Sequence, residues 1–163
     1  MDAVVSYVGR AVDQMTGIVT ALDDDLANRK PALPGANSPY AILRHCLGVM
    51  EFWGGEVVAR REVIRDRPAE FSELGPIPKD ELLRKLEAVV DEARAVLARL
   101  TARQLLEARR IQGFDVTGLA AIFDSVPHFR GHTQEIVHMT RLQLGDAYQF
   151  AWTPTTPEQG APA

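Results

Sequence analysis

Apolar side chains recur at steps of three and four along most of this chain, and the recurrence predicts four helices. The first covers residues 3–27, with Val4, Val8, Ala11, Met15, Ile18, Leu22 and Leu26 on one stripe. Asp23, Asp24 and Asp25 oppose the macrodipole at its end, which marks that end as exposed. Lys30-Pro31 and Pro34-Gly35 then stop it. The second helix starts at an Asn37 or Ser38 cap with Pro39 in the first turn and runs to Arg65. Ile42, His45, Val49 and Phe52 share its apolar stripe, Trp53 adds apolar surface, and Arg44, Glu51, Arg60 and Arg61 face water. Gly54-Gly55 is its weak point, since glycine costs about 1 kcal/mol in a helix interior.

Pro68, Gly75, Pro76 and Pro78 break the pattern, so 66–79 reads as a long crossover. The third helix, 79–100, has a broad apolar face through Leu82, Leu86, Val89, Val90, Ala93 and Leu97. Residues 101–116 are irregular. Thr101 caps a short turn there, and the mixed pattern around Gly113 reads as an extended excursion. The fourth helix runs from a Thr117 cap to Leu144, and Gly145 ends it. Leu119, Ile122, Phe123, Val126, Phe129, Ile136 and Met139 give its core side, and Pro127 predicts a kink near His128. The expected architecture is therefore all-α, a four-helix bundle over residues 1–145. A tail follows at 146–163, extended where Tyr148, Phe150 and Trp152 alternate and loose beyond Thr153.

The chain has 163 residues, enough for one domain with a real core, and 46% of them are hydrophobic. A net charge of −4 gives no electrostatic reason to expect nucleic acid or an anionic membrane as partner. No apolar run approaches the roughly 18–20 residues of a membrane span. The N-terminus lacks the basic and apolar regions of a signal peptide. The single Cys46 forbids an intrachain disulfide and fits a reducing compartment, so a cytoplasmic location is expected. Cationic charge is mostly arginine, with lysine only at Lys30, Lys79 and Lys85, which hints at a GC-rich genome.

Candidate chemistry lies in Val126–Gly145, VPHFRGHTQEIVHMTRLQLG, which holds three of the four histidines. His128 and His132 are i and i+4, one turn apart on one helical face. His45 sits on the apolar face of another helix. A bundle that brings these faces together gathers three neutral imidazoles, which suits one divalent metal. Against this, an HxxxH spacing arises by chance, and a buried histidine often only satisfies hydrogen bonds. The motif lacks the glutamate of a zinc protease's HExxH, since Phe129, Arg130 and Gly131 stand between the histidines. Glu135 and His138 have the ExxH spacing of di-iron bundles, but those need a second ExxH and two more glutamates. His138 reads as a surface or interface residue, and Cys46, about 100° around the helix from His45, as a small buried hydrophobe. Arg130 and Arg141 read as solvated helix charges.

Two stretches, NSPYAILRHCLGVMEFWGG and HFRGHTQEIVHMTRLQLGD, resemble the DinB-like superfamily, which includes bacillithiol and mycothiol S-transferases and the metal-binding domain of mycothiol-dependent maleylpyruvate isomerase. The resemblance spans residues 3–145. It implies a four-helix bundle with a long crossover between the second and third helices, a homodimer, and one divalent ion held by His45, His128 and His132. The isomerase branch has glutamate where this chain has His128, which favours the S-transferase-like or generic branch. Many members follow the last ligand with Gly-Gln, where this chain has Gln134 and Glu135.

Three histidines leave a metal with open positions, as in catalytic sites. Zinc is the first expectation, with nickel or iron also suited. The activity this implies is transfer of a low-molecular-weight thiol, mycothiol-like given the GC-rich hint, to electrophilic small molecules. The alternative is a non-catalytic metal-binding bundle serving dimerisation or a partner. Metal-assisted hydrolysis would need a general base that the sequence does not identify. Glu56 and Glu135 are candidates to support the histidines, though each also reads as a surface carboxylate.

Overall fold

The computed structural model describes residues 2–53, 55, 62–72, 78–111 and 114–150, with the side chains of 2–5 and 111 left aside. Four long helices carry the fold: α1 (Asp2–Ala21), α3 (Pro39–Phe52), α5 (Lys79–Leu97) and α7 (Gly118–Leu144). α1 lies against α7 and α5, and α3 lies against the same two, so the four surround one core in the cyclic order α1–α7–α3–α5. The connection from α3 to α5 is long, as expected of the crossover. Among the described residues no helix is long and apolar enough to cross a membrane.

The helix starts follow local chemistry. Ser38 accepts from the Ala41 N–H, with Pro39 in the first turn of α3. Thr117 accepts from the Ala120 N–H at the start of α7. At the other end of α7, Gly145 takes a positive φ of 53° and its N–H bonds to the Arg141 carbonyl. The helix continues through Pro127.

Three stretches differ from the sequence expectation, and a fourth, 101–117, keeps it in sharper form. The first helix stops at Ala21, and Asp23 caps a separate short helix, α2 (Asp24–Asn28), by accepting from Leu26 N–H. The three aspartates thus serve a helix start, where negative charge is favourable. Lys79 covers the end of α1 instead, its Nζ donating to the carbonyls of Thr20 and Leu22. The α-helical part of the second long helix ends at Phe52, Trp53 and Gly55 are π-helical, and residues 62–66 are not helical, so the helix does not run to Arg65. Gly54, Arg60 and Arg61 lie outside the described residues, as do Gly75, Pro76, Gly113 and the tail beyond Phe150. The crossover contains a helix, α4 (Arg67–Phe71), capped by Asp66. Residues 101–117 form α6 (Ala102–Leu106), started by a Thr101/Gln104 capping box, and an antiparallel hairpin of β1 (Ala108–Ile111) and β2 (Phe114–Thr117).

Met15, Leu22, Ile42, Leu43, Leu86, Phe129 and Ile136 are almost wholly buried at the centre. Each such side chain stabilises by about 1.5–3 kcal/mol through area removed from water. A smaller cluster closes the end of the bundle where α7 begins, with Ala121 packed by Phe52, Trp53, Val96, Leu100 and Val116. Leu119 and Phe123, expected in the core, are 44% and 67% exposed. The buried line of α7 passes through Gly118, Ala121, Ile122, Phe129, Thr133 and Ile136, and Leu119 and Phe123 are rotated off it.

Candidate metal centre

His45 stands on α3, whose faces are buried almost all round, and is itself 5% exposed. His128 and His132 each precede a buried residue of α7, Phe129 and Thr133. They therefore lie about 100° around from that buried line, half-buried and turned toward α3. Thr133 fixes this rotation: its hydroxyl donates to the Phe129 carbonyl at 2.7 Å and lies 3.3 Å from the Ala11 carbonyl on α1.

The three rings meet. Their centroids are 5.2 Å apart for His45–His128, 5.0 Å for His45–His132 and 4.6 Å for His128–His132, all edge to face. One nitrogen from each ring lies within 4.8 Å of the other two, so this group could hold one metal ion. The structure thus gathers all three histidines singled out in the sequence.

Which nitrogens face inward follows from what the others touch. His45 Nδ1 is 2.8 Å from Glu70 Oε2, and His132 Nδ1 is 2.9 Å from Glu135 Oε2. Both rings therefore keep Nε2 for the cluster. His128 Nε2 is buried and has no hydrogen-bond partner among the described residues. A buried polar atom without a partner is costly, and an ion between the rings is the partner this donor set fits. Histidine ligands whose second nitrogen bonds a carboxylate are the usual arrangement at such ions.

The electrostatics favour the neutral form of His45 and His128, the form a metal requires. His128 is pushed down to about 4, by burial first and then by His132, His45 and Arg65. Burial also lowers His45, against the opposing effect of its hydrogen bond to the Glu70 carboxylate. Burial alone would raise Glu70, but the hydrogen bonds and charges of Arg65 and His45 outweigh it, and its pKa falls. Phe71 covers one side of His45 at a centroid distance of 4.9 Å.

The remaining candidates separate cleanly. Cys46 is fully buried against Met15, its Sγ 3.9 Å from the thioether sulfur, and burial pushes its thiol up to about 12. His138, Arg130 and Arg141 are exposed, and Arg141 stacks on Phe150. Glu56 lies outside the described residues. Glu135 is both partner to His132 and 41% exposed. Sequence reasoning missed Glu70 and Arg65. The only local sign of them was Asp66-Arg67-Pro68, a cap and a first-turn proline that announce a helix inside the crossover. In the tail, Tyr148 and Phe150 meet edge to face at 5.1 Å and line a hollow of about 450 Å³ between the ends of α1 and α7. Trp152 lies outside the described residues.

Comparison with protein-family models matches residues 8–136 to the DinB superfamily. Among solved structures, the crystal structure of a conserved protein from Enterococcus faecalis covers 88% of this chain and 96% of its own, with a TM-score of 0.75 and 16% identity. A likeness at that identity is one of fold. Comparison with curated protein sequences finds no match. The family match takes in all three clustered histidines and the crossover that brings Glu70 to them. The chain belongs to the DinB superfamily.

Proposed function

We propose that this protein is a divalent-metal-dependent enzyme that transfers a low-molecular-weight thiol to electrophilic small molecules. The observation that carries the metal half of this reading is the buried His128 Nε2, without a partner among the described residues, on a ring packed against two imidazoles whose Nδ1 atoms are held by carboxylates. His45, His128 and His132 are the proposed ligands. Zinc is the first choice, with nickel or iron also suited to imidazole. A divalent ion with open positions acts as a Lewis acid that lowers the pKa of a thiol or water.

The chain itself offers no thiol for the task. Cys46 is buried, protonated and turned toward Met15. The nucleophile is therefore a small-molecule thiol, and a mycothiol-like one suits the arginine-rich, lysine-poor composition. Glu70 and Glu135 orient the imidazoles, and Phe71 shields His45 from water. A cytoplasmic setting supplies such thiols reduced.

The test combines metal analysis with a conjugation assay. Near one equivalent of zinc or nickel, with metal-dependent conjugation of mycothiol to monochlorobimane above the His45→Ala background, is the expected result. Metal without conjugation would abandon the transferase. It would leave the second reading, a non-catalytic bundle that dimerises or binds a partner. That reading draws on Leu119 and Phe123, exposed one turn apart on α7. It expects a homodimer that Phe123→Asp converts to monomer in light scattering.

A further inference from the structure

Four residues are arranged around Glu70, a carboxylate that the crossover brings to the histidines. Glu70 Oε2 lies 2.8 Å from His45 Nδ1, and Glu70 is 7% exposed. Arg65 grips that carboxylate twice, Nε to Oε1 at 2.7 Å and Nη2 to Oε2 at 2.9 Å. Arg44, the neighbour of His45, donates to the main-chain carbonyls of Glu70 at 2.7 Å and Ser72 at 3.1 Å, which fixes α4 on α3. Gly48, one turn beyond His45, leaves the space. A Cβ there would collide with Glu70 Oε1 and stand 2.9 Å from its Cδ.

A carboxylate paired with arginine is ionised and can only accept. The proton between it and His45 Nδ1 therefore belongs to the imidazole. Arg65 Nη2, 3.3 Å from the same Nδ1, serves the Oε2 that both groups share. The free lone pair of His45 is then on Nε2. We propose that Glu70, seated by Arg65 and admitted by Gly48, is the positioning residue for His45 in the metal centre, fixing its tautomer and aiming Nε2 at the cluster. The crossover is thereby part of the site. This rests on the metal reading given above.

Nitrogen-15 NMR of the imidazoles in the metal-free protein reads the tautomer, and competition with a chromophoric chelator for zinc reads affinity. The native protein should hold His45 as Nδ1–H. Glu70→Ala should mix the tautomers and weaken zinc binding by about 10- to 100-fold. Glu70→Gln, which keeps an acceptor in place, should preserve the tautomer and recover part of the affinity. Gly48→Ala should weaken binding as Glu70→Ala does, and the double variant should lose no more than Glu70→Ala alone, because Gly48 acts through Glu70. Native affinity and an unchanged tautomer in Glu70→Ala would overturn this proposal while leaving the metal site standing. A native protein that takes up none of zinc, nickel and iron would remove the metal reading and this proposal with it.

Discussion

His132 and Glu135 stand one turn apart on α7, with Nδ1 and Oε2 separated by 2.9 Å. The pair is the exposed counterpart of His45 and Glu70, since the Glu135 side chain is 41% exposed and that of Glu70 only 8%. Solvent weakens such an interaction. Glu135→Ala should therefore reduce zinc affinity by about tenfold, at the low end of the range for carboxylates behind histidine ligands. Chelator competition checks this, and an affinity unchanged from native would show that Glu135 is only a surface charge.

His128 poses an opposite balance of stability and binding. Its Nε2 is buried without a hydrogen-bond partner among the described residues. His128→Leu removes that polar atom at similar volume. The metal-free protein should become more stable by about 1 kcal/mol, and the rise in melting temperature on adding zinc should disappear. Plasma mass spectrometry of His128→Ala/His132→Ala should find the metal gone. A native-like zinc shift in His128→Leu would remove His128 from the ligand set.

Acid should destabilise the metal-free protein in a defined window. His128 titrates at about 4 in the fold against 6.5 for an ordinary imidazole, and His45 is lowered too. Above pH 6.5 both folded and unfolded chains hold His128 neutral, so it contributes no slope. Between about 6.5 and 4 the unfolded chain takes up a proton that the folded chain refuses, so stability falls as pH falls. Below about 4 both are protonated and the loss levels off. The lowered Glu70 adds a loss in the same direction below its ordinary value of 4.5. Urea unfolding at pH 7, 6 and 5 should show a decline on the order of 1–3 kcal/mol across the window, discounted for partial exposure. His128→Leu should flatten most of it, and an equally steep profile in that variant would assign the slope elsewhere.

Cys46 should be a bystander. It is fully buried with its thiol pushed up to about 12. The folded protein should resist aromatic disulfide reagents at neutral pH and react once unfolded. Cys46→Ala should keep its metal and any thiol-conjugating activity while losing about 1 kcal/mol of stability from the lost packing. Loss of conjugation with metal retained would make Cys46 the nucleophile and contradict the external-thiol reading.

The fold and the three histidines were legible because their signals are local. Ser38, Thr101 and Thr117 each cap the helix that follows by accepting from the N–H three residues on, and the HxxxH spacing fixes a shared face whatever the rest of the chain does. Glu70 was not legible, because its meaning depends on a contact with His45 across the crossover. Asp23 was misread as an unfavourable helix end, because a local pattern does not say which of two adjoining helices a capping residue serves. Leu119 and Phe123 were placed in the core by an apolar stripe that is wider at the start of α7 than the face its neighbours cover. Hydrophobicity reports which side chains avoid water, and only tertiary packing decides which of them succeed.

The histidine cluster joins α3 to α7, two helices separated in the chain by the whole crossover, α5 and the hairpin. No contiguous segment contains it. An ion can therefore bind only after these distant helices have docked, late in the chain's collapse. Binding would then leave the folding rate nearly unchanged and slow unfolding, lengthening the lifetime of the native state without hastening its formation.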